Sequence, residues 1–118
     1  MDPAAGADCV FCKIVAKQIP AEVVHETDTT VAFRDLAPEA PVHVLVIPRM
    51  HLPNLAEVAA HEPGTLVDMV QAAAAVAEEA GLSGGYRLVA NTGRDAHQTV
   101  FHAHLHVLGG RVMTWPPG

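Results

Sequence analysis

The chain has 118 residues, half of them hydrophobic and only 17% charged, with a formal charge of −6 and a single C-x₂-C pair of cysteines. That length reads as one domain over 1–118, and the composition excludes wholesale disorder. Seven scattered Lys and Arg, against thirteen acidic residues, exclude a nucleic-acid backbone as partner. No apolar run of about 18 residues marks a membrane span, and MDPAAGADC lacks the pattern of a secretory signal, so the cytoplasm is the expected location.

Met1 to Asp8 reads as a tail. CVFCKIVAK then spaces Val10, Phe11, Ile14 and Val15 for a short helix with one buried side. EVVHET (22–27) and TVAFRDL (30–36) read as strands joined by a tight turn at Asp28–Thr29. HVLVIP (43–48) is a strongly β-branched third strand, and NLAEV is expected to form one helical turn. From Pro63 to Gly81, apolar residues at Leu66, Met69, Val70, Ala73, Val76, Ala77 and Ala80 predict an amphipathic helix, opened by proline and closed by glycine. YRLVAN (86–91) is a fourth strand, TGRDAHQ a polar loop and VFHAHLHVLGG (100–110) a fifth strand. Strands in a row around one main helix predict an α+β domain: a five-stranded antiparallel sheet with the helices on one face. The ending RVMTWPPG (111–118) is too apolar for a free end, so Met113 and Trp115 are expected to pack on something, a second subunit included.

The chemistry concentrates in FHAHLH. In a strand, His102, His104 and His106 share one face with a repeat of about 6.6–7 Å, while Phe101, Ala103, Leu105 and Val107 face the helix layer. Three readings compete. The face is solvated; or one or two of the rings bind a metal with ligands from elsewhere, since the outer two lie about 13 Å apart; or the middle ring is a nucleophile flanked by rings that set its tautomer. The glycines at Gly93 and Gly109–Gly110, with Gln98 and Thr99, offer donors for an anionic substrate. Cys9 and Cys12 leave structural zinc, free thiols and a disulfide open, the last being disfavoured in the cytoplasm. Thioredoxin-like chemistry lacks its βαβ setting. His43, on the neighbouring strand, reads either as a partner behind the three histidines or as a core histidine; His25 and His61 read as surface residues.

FHAHLHVL resembles the His-x-His-x-His motif of the histidine triad (HIT) superfamily. The likeness extends over FCKIVAKQIPAEVVHE, VAFRDLAPEAPVHVLVIPRMH, GYRLVANTG and the ending HLHVLGGRVMTWPPG, nearly the whole chain, in the manner of the histidine triad nucleotide-binding branch. The resemblance implies a homodimer whose sheet runs across both subunits. It also implies hydrolysis of purine nucleoside phosphoramidates and related aminoacyl adenylates, without an organic cofactor. An alternative is a nucleotide-binding regulatory module with vestigial catalysis. By resemblance His104 attacks the α-phosphorus, His102 and His106 orient and polarise the site, and Asn91 reaches the phosphate or Thr99. Phe11, Ile14, Phe33 and Leu36 form the base pocket, Asp35 holds the ribose hydroxyls, and Gln98 and Thr99 line the phosphate. Trp115 extends toward the partner's active site. Thr99 stands where the family usually has Ser, and His97 where small residues are usual; these departures bear on rate and leaving-group size. Relatives with this cysteine pair often bind a structural zinc, which here implicates Cys9, Cys12, His51 and His102.

Overall fold

The computed structural model describes residues 8–118, so all but the last residue of the expected tail lies outside the described residues. The elements are α1 (Val10–Val15), β1 (Val23–Glu26), β2 (Thr30–Arg34), β3 (Val42–Pro48), α2 (Leu55–His61), α3 (Pro63–Glu79), β4 (Tyr86–Val89) and β5 (Leu105–Gly109), with a 3₁₀ turn at Arg94–Ala96. The five strands form one antiparallel sheet in the order β1-β2-β3-β5-β4. This is the α+β architecture that the succession of strands around one long helix predicts, except that the helices are not all on one face: α1 packs on the side opposite α3.

Strand alternation sorts the core into two layers. Ala32, Val44, Val46, Leu105 and Val107 pack against Met69, Ala72, Ala73 and Val76 of α3. The intervening residues Val31, Phe33, Leu45 and Ile47 face the other way and pack with Cys9 and Phe11 from the start of α1. β3 is buried on both faces, as its unbroken apolar run requires. Helix α3 buries Thr65 and Ala72 along with Met69, Ala73, Val76 and Ala77, whereas Val70 is 46% exposed. Gly81, at φ +73°, takes the left-handed turn that stops it.

Several boundaries differ from the sequence reading. Asn54 caps α2 by accepting the Glu57 N–H at 2.9 Å, and the segment runs two turns rather than one. β4 stops at Val89, and Val10 is 41% exposed rather than buried. The largest correction concerns the fifth strand, which begins only at Leu105. The Ala103 N–H donates to the Leu52 carbonyl at 2.7 Å, and the His102 carbonyl is taken by the His104 ring. Backbone groups spent on the 48–53 loop and on a side chain cannot join the sheet ladder. Only His106 of the three histidines therefore sits on a true strand.

Candidate active site

The sheet face opposite α3 carries His43, Leu45 and Ile47 from β3 and His106 from β5. Leu45 pairs with His106 in the β3–β5 register, so His43 is the diagonal neighbour of His106. His43 Nε2 lies 2.9 Å from His106 Nδ1 and 3.4 Å from Asp35 Oδ2. Asp35 follows β2 and is tied to the same strand, its N–H donating to the His43 carbonyl at 3.0 Å. The turn after it is closed by Asp35 Oδ1, which accepts the Ala37 N–H at 2.8 Å.

Hydrogen bonds to groups of fixed role set the tautomers. A backbone carbonyl only accepts, so His104 Nδ1–H donates to the His102 carbonyl at 2.7 Å, leaving the lone pair on Nε2. A backbone N–H only donates: Glu39 N–H reaches His43 Nδ1 at 3.0 Å, so neutral His43 carries its proton on Nε2 and gives it to His106 Nδ1. His106 then presents Nε2–H. Burial pushes both triad rings below the ordinary histidine value: His104 against the opposing pull of the His102 carbonyl and Asp35, and His106 to about 4, with His104 and His43 adding to the effect. Both rings are neutral near pH 7, the form a nucleophile and a neutral donor require.

These rings border a cleft of about 260 Å³. Phe11, Ile14, Phe33, Leu36, Asp35 and Thr99 line it together with His104 and His106. Phe11 stands edge-on to Phe33 and His104, with centroids 5.5 and 5.2 Å away. An apolar slot thus runs into a polar end, a shape suited to an aromatic ring joined to an anionic group. Leu36 is 99% exposed at the rim. Val10, Ala21, Leu45 and Val100 complete the apolar wall; Leu45 was discoverable from the alternation in β3, the others only from folding.

Four expected residues do not line this cleft. Gln98 is a strut of its own loop: Oε1 accepts the Gly93 N–H at 2.9 Å, while Nε2 donates to the carbonyls of Pro53 and Val100 at 2.6 and 3.0 Å. Asn91 is half-buried just beyond β4, and Trp115 is exposed on the C-terminal segment. The His102 ring is fully buried and turned elsewhere, so its link to His104 is its backbone carbonyl. His97 is exposed in the loop, at φ 66°.

His102 belongs instead to a second cluster with Cys9, Cys12 and His51, whose ligand atoms all lie within 4.8 Å of one another. Cys9 caps α1, its Sγ accepting the Cys12 N–H at 3.3 Å, which brings both sulfurs to the same end of the helix. His102 Nδ1 lies 3.4 Å from Cys9 Sγ, 3.6 Å from Cys12 Sγ and 3.2 Å from His51 Nδ1; Cys12 Sγ lies 3.3 Å from His51 Nδ1. A tetrahedron with metal–sulfur arms of about 2.3 Å and metal–nitrogen arms of about 2.0–2.1 Å has N–N and N–S edges of roughly 3.3 and 3.5 Å. The donor set fits a tetrahedral ion. His102 Nε2–H donates to the Pro48 carbonyl at 2.8 Å, which leaves the Nδ1 lone pair facing the cluster.

Asp35, His43 and His106 also bring three ligand atoms within 4.8 Å. There the Nε2 of His43 carries a proton, because its Nδ1 is already an acceptor. A hydrogen-bond chain accounts for that group without an ion.

Comparison with known proteins agrees with this geometry. The HIT domain family profile matches residues 16–113. An uncharacterized HIT-like protein of Synechococcus elongatus is 49% identical over 94% of this chain and 97% of its own length. Among solved structures, a HIT family hydrolase from Clostridium thermocellum superposes with a TM-score of 0.89 at 43% identity, over 93% of this chain and 96% of that one. A histidine triad nucleotide-binding protein from Candida albicans gives 0.80 at 32% identity, over 92% and 82%. With the family profile spanning most of its length, a half-identical HIT-like relative and the histidine-lined cleft in place, this chain belongs to the HIT domain family.

Proposed function

We propose that the protein is a nucleotide hydrolase that cleaves the P–N bond of purine nucleoside phosphoramidates, and of related aminoacyl adenylates at the corresponding bond, through His104. The observation that carries this reading is the fixed tautomer of His104: its proton is held on Nδ1 by the His102 carbonyl, and the Nε2 lone pair is left for attack at the polar end of an apolar cleft. His104 Nε2 bonds to the α-phosphorus while the bond to the leaving nitrogen breaks. That nitrogen keeps the electron pair and takes a proton, for which the Thr99 hydroxyl is the donor implied by the family likeness. Water then displaces His104 from phosphorus and returns a proton to the site, releasing the nucleoside monophosphate. His106 donates through Nε2–H to a phosphate oxygen, where charge builds up in the transition state. Phe11, Ile14, Phe33 and Leu36 hold the base, and Asp35 accepts from the ribose hydroxyls. Gln98 serves by keeping the phosphate loop in place, and Asn91 by reaching the phosphate or Thr99, as the family likeness implies.

Cys9, Cys12, His51 and His102 hold a structural zinc in this reading, closed by four protein ligands and without a part in the bond-breaking step. Its chemistry is to lock α1, the 48–53 loop and the triad segment together. A homodimer is the assembly proposed, joined along the β4 edge, where Tyr86 and Leu88 are exposed; Trp115 then extends to the partner's cleft. No helix among the described residues is long and apolar enough to cross a membrane. The test is turnover of an adenosine phosphoramidate by the wild-type chain and by His104→Ala. Turnover by the first, with a trapped nucleotidyl-protein adduct absent from the second, is expected. Equal turnover by both contradicts the mechanism, and tight nucleotide binding without wild-type turnover favours the regulatory module.

A further inference from the structure

We propose that Asp35 and His43 form a relay through which contact with the ribose hydroxyls sets the orientation of His106, so that the sugar is read in the rate of the chemical step as well as in binding. The inference rests on the nucleotide reading above and goes beyond it by assigning His43 as a positioning residue. His43 is buried and lies behind the cleft rather than along it. Its Nδ1 is fixed as an acceptor by the Glu39 N–H, so the Nε2 proton is given to His106 Nδ1 at 2.9 Å, while Asp35 Oδ2 stands 3.4 Å from the same nitrogen, within electrostatic reach but off the line of that hydrogen bond.

The carboxylate draws electrostatically on the proton that His43 gives to His106. Asp35 Oδ1 is engaged by the Ala37 N–H at 2.8 Å, Oδ2 is the oxygen near His43, and the residue lines the cleft. Hydroxyls donating to Oδ2 reduce its pull on the His43 proton. The His43 proton then stays aligned on His106 Nδ1, which holds the imidazole as its Nε2–H tautomer and fixes the direction in which that N–H points. A sugar without hydroxyls leaves that pull undiminished and His106 less firmly held. A carboxylate that merely bound ribose would need no contact with the histidine behind it.

Two measurements on the full-length chain test the relay. The first compares kcat and KM for adenosine and 2′,3′-dideoxyadenosine phosphoramidates. In the wild type, loss of the hydroxyls is expected to lower kcat about 10-fold in addition to raising KM; in His43→Phe the kcat ratio is expected to fall to within about 2-fold of unity while the KM ratio persists. His43→Gln, whose side-chain amide can still donate to His106, is expected to restore the kcat ratio. The second uses ¹⁵N NMR to read the His106 tautomer, expected to be Nε2–H in the wild type and in His43→Gln and mixed in His43→Phe. A kcat ratio unchanged by His43→Phe, or a wild-type His106 protonated on Nδ1, overturns the relay. If no variant turns over either substrate, the nucleotide-hydrolase reading and the ribose half of the relay fall together. The tautomer then decides whether His43 positions His106.

Discussion

Two histidine clusters flank His104, and they differ in what holds the far side of each ring. In the Cys9–Cys12–His51–His102 group, His102 gives its Nε2 proton to the Pro48 carbonyl and turns a lone pair toward two sulfurs. In the Asp35–His43–His106 group, the Glu39 N–H occupies His43 Nδ1 and forces a proton to face inward. A carbonyl behind a ring makes a metal ligand; an N–H behind a ring makes a hydrogen-bond donor. His104 stands between them, with Nδ1 on the backbone of the first cluster and its ring 5.1 Å from His106 of the second. Both clusters carry two imidazoles, and what those rings do depends on the backbone groups that meet them as well as on the sulfurs in one cluster and the carboxylate in the other.

The sharpest way to separate the clusters is to remove the residue between them. His104→Ala is expected to lower turnover by about 10³-fold or more, because no other group supplies the nucleophile, while metal content stays at the wild-type level. The converse variant, Cys12→Ser, should lower the melting temperature by roughly 10 °C or more, since folding and metal binding are coupled. Calorimetry against zinc content checks it; an unchanged melting temperature would show that the cluster has no structural role.

Acid is expected to act on the second cluster. Burial lowers His106 to about 4 from its ordinary value of 6.5, so between those two pH values the unfolded chain binds a proton that the folded chain refuses. Stability therefore declines as pH falls through this window, and above about 6.5 this contribution is flat. His106→Gln should flatten part of the slope of melting temperature against pH; the effect is modest because the ring is only half-buried. Smallest of all, Thr99→Ser keeps the hydroxyl and removes one methyl from the mouth of the cleft. Turnover of small leaving groups should stay within about 10-fold, with a relative gain for bulky amines, as a panel of phosphoramidates would show.

Much of this site was legible in the sequence. Alternation separates the helix-facing residues Ala103, Leu105 and Val107 from the histidines, and the family likeness singles out Asp35 and the cluster of Cys9, Cys12, His51 and His102. Strand geometry alone misplaced His102 and His104, because nothing local announces that the Ala103 N–H and the His102 carbonyl leave the sheet for Leu52 and for a side chain. Gln98 read as a phosphate donor for a similar reason: its partners Pro53 and Gly93 meet it only after folding. His43 reads from sequence either as a partner behind the triad or as a core histidine, and its 2.9 Å contact with His106 Nδ1 favours the first. The tautomers of His104 and His43 are set by near neighbours in sequence, those of His102 and His106 by residues 54 and 63 positions away, and all four depend on a backbone path that residue types alone do not give.

The measurement that bears most directly on the division between the clusters is zinc per chain in the wild type, His43→Gln and the Cys9→Ser/Cys12→Ser pair. One equivalent in the first two and none in the third is the predicted result. Two equivalents in the wild type with one lost in His43→Gln, or one equivalent surviving removal of both cysteines, would contradict it.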